Sequence, residues 1–530
     1  MKKIAILSKL EIVLVFAALA SIVIFFQIRS NCFRTEFGDD ASSHYISGLM
    51  IHDYIRSGFQ LGPVTYLKWF HSHYPLVGIG HWGPMFYGVE ALWMFLFSPS
   101  RISVLLLSAF MTALTAAAVY HYGVARLNLG RIAAFFAAGA FVISPITQEG
   151  SSAVMLDIPI TLAVFLALIA YVRYIETERW VFSLLFGVIA AAAMLIKGNG
   201  ALLALVPPFA VAFNRKWSLI ARPGFWLPVL IVGLTVGPWY AFTYGQVAAG
   251  FRYHWGLDYT SVALAENSKI LLASVGAAAL IVAIVGVFGA SAGLKGVLAL
   301  LAAVWVFQCT APAAIQDRYL APLLPPLLLI VAVGGSALAA RLRRWMPGRA
   351  AEALVFGALV LTMGPAALHT GVMKELGFRD LAPVVWAHRA EANPVVLVAA
   401  KESSEAAAIA ELAMIDPARP SLFAVRGSRL LGGGGYNRAD YLPKFAEIEQ
   451  AAAEIDAYHV PLVLYQADPG GWTHVVQVDT IRQQSSPPWQ LLGTAGREEA
   501  PVSLYARPRA EGEVADIGRW TELTGPKALQ

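Results

Sequence analysis

A chain of 530 residues with 58% hydrophobic and 14% charged side chains lies outside the soluble range, which sits at roughly 45–50% apolar and about 25% charged. A formal charge of +5 and a pI near 9.0 do not indicate nucleic acid, because the basic residues sit in short gaps between apolar runs, as the positive-inside rule produces. Two cysteines, Cys32 and Cys309, exclude a disulfide scaffold and a cysteine-rich metal site; the sequence reads them as thiols, with a single bridge as the alternative.

In chain order, Ile4 to Ile28 follows Lys2 and Lys3 and is long enough for a hydrocarbon core of about 30 Å. With no small-residue cleavage site behind it, the segment reads as a retained first helix. A long polar and aromatic loop follows, at 29–100. Further spans are predicted near Ile102–Tyr122, Ile132–Pro145, Ile158–Val172, Val181–Ile196 and Ala201–Phe213. The rest lie near Phe225–Tyr244, Ile270–Ala290, Val297–Thr310, Tyr319–Ala340 and Ala353–His369. The expectation is a polytopic α-helical membrane protein of about eleven spans.

With the N-terminus in the cytoplasm, one side receives Arg126 and Arg131, Arg173 and Arg179, Arg215, Lys216 and Arg222, Lys295, and the group Arg341, Arg343, Arg344 and Arg349. The opposite, extracytoplasmic side receives the first loop, the Lys197 turn, the Arg252–Lys269 loop, the Gln316–Arg318 link and the tail. That tail alternates strand-like runs (Val395–Ala400, Ser421–Val425, Pro461–Tyr465) with helical ones (Ser403–Met414, Phe445–Ala457), which predicts a small α/β domain. The organisation expected is a membrane module at 1–370, an extracytoplasmic α/β domain at 371–510 and a loose end at 511–530. The Gly432–Gly435 run lacks the strand and helix flanks of a dinucleotide fingerprint.

Charge beside a membrane span is costly, so each such residue is a candidate for function. Asp39 and Asp40 stand close after the first span, followed by His44 and Tyr45; the plain alternative is a solvated loop acid or a helix cap. His71, His73, His81 and the aromatic Trp82, Phe86 and Tyr87 share the loop. Interfacial anchoring accounts for most of these rings. The histidine spacings match no standard zinc pattern, so a divalent metal ion is neither required nor excluded. On the same membrane side, Asp157 opens a helix whose dipole favours its charge. Lys197 runs against the positive-inside pattern and has snorkelling as its alternative. Arg318 with Tyr319 precedes the apolar run Leu320–Val333. Arginine and lysine beside a carboxylate at this depth suit an anionic lipid head group.

The ordered set resembles the membrane glycosyltransferases of the C-type fold that use polyprenyl-phosphate sugars, in the branch of protein mannosyltransferases and lipid A aminoarabinose transferases. The likeness rests on Asp39-Asp40 with His44 and Tyr45, on His73-Tyr74-Pro75-Leu76 through His81-Trp82-Gly83-Pro84-Met85-Phe86-Tyr87, on Met155–Pro159 followed by Leu195–Gly198, and on Asp317–Pro322. These span about residues 1–340. The sequence departs from the family pattern with Asp40 in place of a Glu and with Ser43 where His or an aromatic residue follows, His44 coming one step late.

The resemblance implies inverting transfer from a sugar on a polyprenyl monophosphate to an envelope glycolipid, polysaccharide or protein, at the plasma (inner) membrane. It makes Asp39 and Asp40 the catalytic acids, with Asp39 preferred as base, and His44, Tyr45, His81, Asp157, Lys197, Arg318 and Tyr319 the substrate-binding residues. The rival readings are a transporter or flippase, and a non-catalytic subunit of an envelope assembly. Nearly charge-free helix interiors and the lack of an internal repeat weigh against transport.

Overall fold

The computed structural model describes residues 8–250, 256–288, 292–311, 314–390, 394–433, 441–468 and 470–508. The end expected to be loose, 511–530, lies outside the described residues, as do parts of the glycine run and of the expected Arg252–Lys269 loop; the rest of that stretch is no loop but, from Leu257 on, the start of the helix Leu257–Val287.

The helices in chain order are α1 (Lys9–Arg29), α2 (Asp39–Arg56), α3 (Pro63–His73), α4 (Met85–Leu96), α5 (Arg101–Leu127), α6 (Arg131–Ile143) and α7 (Pro145–Ser151). There follow α8 (Asp157–Thr177), α9 (Trp180–Ile196), α10 (Val206–Asn214), α11 (Pro223–Thr235), α12 (Gly237–Gly250), α13 (Leu257–Val287), α14 (Ala292–Thr310), α15 (Leu324–Leu342) and α16 (Gly348–Leu368). Then come α17 (Phe378–His388), α18 (Glu402–Ile415), α19 (Gly427–Leu430), α20 (Ile448–Ala457) and α21 (Thr473–Gln484). The strands are β1 (Val395–Ala399), β2 (Phe423–Arg426), β3 (Gly432–Gly433), β4 (Leu442–Pro443), β5 (Leu462–Gln466), β6 (Gln490–Arg497) and β7 (Ala500–Ala506).

The protein is a multi-pass membrane protein. Among the described residues seven helices are long and apolar enough to cross a bilayer, or nine if two bent pairs each count as one span. The other two segments expected to span, near Val181–Ile196 and Ala201–Phe213, form apolar helices shorter than that threshold. The bends have identifiable causes. Pro145 cannot continue the ladder of α6, so α7 leaves at 60°, and Gly237-Pro238 breaks α11 from α12 at 43°.

The chain divides into two compact units, and the first comprises 1–30, 80–86 and 105–372. Its helices approach closely through small residues. A Cβ on Gly286 of α13 would lie 2.0 Å from the Ile330 carbonyl of α15, and one on Gly334 would lie 2.1 Å from that of Val282. Close backbone approach of this kind replaces the hydrophobic driving force that lipid removes. Polar side chains satisfy buried backbone groups: the Gln27 amide donates to the carbonyls of Leu105 (2.9 Å) and Ser151 (2.7 Å).

The second unit comprises 31–79, 87–104 and 373–530. Its five-stranded sheet has the order β2-β1-β5-β7-β6, with β2, β1 and β5 parallel and β7 and β6 antiparallel. Every residue of β1 is buried, as a central parallel strand requires, and Val395, Leu397, Phe423, Val425, Val463 and Trp489 belong to one core. Helices from the first loop complete the unit. α2 packs on α18 and α3 on β2, where the His73 ring stacks on Phe423 at 3.9 Å. Glu36, just before α2, accepts from the backbone N–H groups of Leu376 (2.8 Å), Gly377 (2.8 Å) and Arg379 (3.1 Å), capping the start of α17.

Candidate active site

In the second unit, Asp39 is the first residue of α2 and Gly38 its N-cap, with no side-chain cap bond. Its φ of 34° lies in the left-handed region, which Asp tolerates better than most residues and which is enriched at functional positions. The Asp39 side chain is exposed and Asp40 is half-buried. Both occupy the first turn, where the helix dipole favours negative charge.

His44 and Tyr45 lie one turn on and are buried. His44 Nδ1 is 2.9 Å from the Tyr87 hydroxyl, and the Tyr45 hydroxyl donates to the Pro99 carbonyl at 2.9 Å. These contacts fix α2 against the start of α4 and the residues before α5. α2 is anchored at its far end too. Asp53 pairs with Arg419 (2.8 Å), and Tyr74, after α3, donates to Asp416 at 2.5 Å.

In the first unit four of the residues singled out from sequence come together. Lys197 Nζ lies 2.7 Å from Asp157 Oδ1, with side-chain exposures of only 11% and 3%. The same ammonium sits 4.1 Å from the centroid of Tyr319, and the Arg318 guanidinium is 5.5 Å from that ring. Arg318 Nε donates to Gln316 Oε1 at 2.6 Å and its Nη1 reaches Met155 Sδ at 3.6 Å. Each element supplies its residue by ending: α9 stops at Ile196, α8 starts at Asp157, and the turn Asp317–Leu323 feeds α15.

Asp157 thus both opens its helix, as the dipole argument expects, and pairs with Lys197, so Lys197 is a buried ion-pair partner instead of a snorkelling side chain. Two cations lie over one aromatic ring, Lys197 paired with Asp157, while Glu149 of α7 stands within electrostatic range of Arg318 and Asp157; paired cations of this kind suit an anionic group. The segment His81–Pro84 also meets the end of α9. A Cβ on Gly83 would lie 2.0 Å from the Leu195 carbonyl, and His81 stands edge-on to Trp82 at 4.6 Å.

Two groups escaped the sequence reading. Glu90 of α4 is wholly buried with no hydrogen-bond partner for either carboxyl oxygen, and burial pushes it far above the usual carboxylate range. It hides within an aromatic, apolar run. Glu402 at the start of α18 reads in sequence as an ordinary helix-opening acid. Among the described residues no group of three or more His, Cys, Asp or Glu side chains is arranged to hold a metal ion. Cys32 and Cys309 are both buried thiols.

Residues 81–242 match the family model described as dolichyl-phosphate-mannose-protein mannosyltransferase. No curated protein matches the chain. ArnT from Cupriavidus metallidurans, solved bound to undecaprenyl phosphate, is 14% identical with a TM-score of 0.58, over 95% of this chain and 100% of that one. Its apo structure gives 14% and 0.60, over 94% and 99%. The archaeal oligosaccharyltransferase AglB from Archaeoglobus fulgidus, in complex with an inhibitory peptide and a dolichol-phosphate, is 12% identical with a TM-score of 0.52, over 86% of this chain and 69% of that one. The chain is a membrane protein of the C-type glycosyltransferase fold, similar over residues 81–242 to the protein mannosyltransferase family.

Proposed function

We propose that this chain is an inverting glycosyltransferase that moves a sugar from a polyprenyl-phosphate donor to an acceptor in the cell envelope: a glycolipid, a polysaccharide or a protein. The observation that carries the reading is the Asp157–Lys197–Tyr319–Arg318 cluster, two cations held over one ring in a membrane protein of this fold. The similarity to ArnT, whose structure holds undecaprenyl phosphate, supports the same donor class. In this reading the chain lies in the plasma (inner) membrane with its N-terminus cytoplasmic and its α/β domain outside, as the distribution of arginine and lysine suggests.

The chemistry needs one proton acceptor. As the acceptor oxygen bonds to the anomeric carbon, its proton passes to Asp39 and the carbon–oxygen bond to phosphate breaks. Phosphate leaves as an anion, so no second carboxylic acid has to protonate it, unlike in glycosidases. Lys197 and Arg318 are the first unit's cations suited to a phosphate head group, since preorganised cations stabilise such charge at no reorganisation cost. Asp40 supports the base, while Asp157 holds Lys197 in place and Tyr319 presents its ring to both cations. His81 lines the donor side, and His44 with Tyr45 orients α2.

The deciding experiment complements a deletion strain with Asp39→Asn and profiles envelope glycolipids and glycoproteins by mass spectrometry. Normal protein abundance with a missing glycoform is the expected outcome, and the glycoform names sugar and acceptor together. A wild-type profile from Asp39→Asn removes Asp39 from the role of base.

A further inference from the structure

Asp39 opens α2 and Glu402 opens α18, and the two helices pack against each other within the second unit. Their far ends fix the relative direction. Asp53, in the last turn of α2, pairs with Arg419 just beyond α18, so the helices run parallel and their first turns share an end. That end is the carboxyl edge of the parallel strands, since α18 starts right after β1 and Lys401, and Arg426 closes β2. Ligands of open α/β sheets gather at this edge.

Glu402 is held there by design of its neighbours. Arg426 Nη2 lies 3.3 Å from Glu402 Oε1, while its Nε lies 3.0 Å from Glu405 Oε2. Glu405 is fully buried and already accepts from the N–H and hydroxyl of Ser428 (2.8 and 2.5 Å). The second carboxylate on Arg426 is therefore satisfied from several sides, whereas Glu402 is the more exposed of the two, at 13% against 0%.

We propose that Glu402 is a positioning residue for the transfer: it stands within electrostatic reach of Asp39 at the shared helix end and strengthens that carboxylate as a proton acceptor. The inference rests on the reading of Asp39 as base. Glu402 forms no bond to substrate; the proton still passes from the acceptor hydroxyl to Asp39. Two nearby carboxylates each make the other harder to ionise, so Asp39 binds a proton more readily with Glu402 charged than without it.

Charged and titratable groups around the pair include Asp40 on α2, Lys401 before α18, Glu405 on α18, Arg426 ending β2, Arg429 on α19, His474 on α21 (3.3 Å from Glu405), and His71 on α3, which feels both arginines. Burial pushes Glu402 above the usual carboxylate range, Arg426 and Arg429 pull it down, and Glu405 and Asp39 push it up.

The test uses the full chain in nanodiscs and needs no substrate. A water-soluble carbodiimide with an amine couples only protonated carboxyls, and fragmentation mass spectrometry separates Asp39 from Asp40. In Glu402→Gln the pH midpoint of Asp39 labelling should fall by about 0.5–1.5 pH units relative to wild type, and Glu402→Asp should restore it. Linkage is reciprocal, so Asp39→Asn should lower the Glu402 midpoint by the same amount, which keeps the idea testable if Glu402→Gln folds poorly. Midpoints that do not move, or that rise, overturn the coupling. If the midpoints move yet Asp39→Asn still transfers sugar, the pair is real but the base, and with it the role given to Glu402, is wrong.

Discussion

Removing Asp53 should loosen the whole second unit. The carboxylate of Asp53 and the guanidinium of Arg419 are 8% and 10% exposed and meet at 2.8 Å. Arg419 also donates to the carbonyls of Asp416 (2.9 Å), Ala413 (3.4 Å) and Met414 (3.5 Å), so it closes the end of α18 while gripping α2. Breaking a buried pair by deleting one member typically costs about 3–5 kcal/mol, because the other charge stays buried without its counter-charge. The three carbonyls soften this for Arg419, which places Asp53→Ala near the lower figure, about 3 kcal/mol. For a unit of this size each kcal/mol is worth roughly 2–4 °C, so the midpoint should drop by about 6–12 °C.

The assay is hydrogen exchange of the β1 peptide, whose slowest amides report opening of the sheet. The double variant Asp53→Ala with Arg419→Met removes both charges and should recover at least about 1 kcal/mol over Asp53→Ala alone. A loss below about 1 kcal/mol, or a double variant no better than the single, refutes the claim that this pair ties the first loop to the α/β sheet.

Gly48→Ala places a Cβ 2.2 Å from Glu90 Oε2 and 2.5 Å from its Cδ; despite the helical gain of alanine, overpacking should cost about 1–3 kcal/mol by thermal unfolding, with Glu90→Ala relieving it. Lys197→Met should lower both abundance and transfer by stranding buried Asp157, whereas Lys197→Met with Asp157→Leu should restore abundance on immunoblots and leave glycan transfer lost. Burial, with help from Arg426 and Arg429, lowers His71 to about 4. Its folded form therefore resists the proton that the unfolded chain takes up near 6.5. Stability of the second unit should fall as pH drops from about 6.5 towards 4, and His71→Asn should flatten that slope in pH-dependent hydrogen exchange.

Much of the architecture was legible because it rests on composition and period. The apolar runs of α1, α5, α8 and α13 announce themselves, and β1, β2 and β5 fall where Val395–Ala400, Ser421–Val425 and Pro461–Tyr465 read as buried strands. The β6–β7 hairpin went unread: Gly493, Gly496 and the register shift between Leu491 and Gly493 erase its alternation. Single candidate residues were visible as charges beside the apolar runs. Their partnerships were not, since Lys197 finds Asp157 forty residues back and Arg318 finds Met155 at a separation of 163. Glu90 was missed for the converse reason, as a titratable group inside an apolar helix gives no periodic signal.

The second unit is assembled from three stretches of chain, and the partners Asp53 and Arg419 are 366 residues apart. A ribosome adding about 5–20 residues per second delivers Arg419 roughly 20–70 s after Asp53. For that interval α2 and α3 exist without the sheet that covers them, while span after span enters the bilayer. Tyr74 and Phe70, both fully buried in the finished protein, are open to wrong contacts until the last third of the chain emerges. Truncations that stop before β1 should accordingly leave the first loop exposed to protease, however well the spans insert.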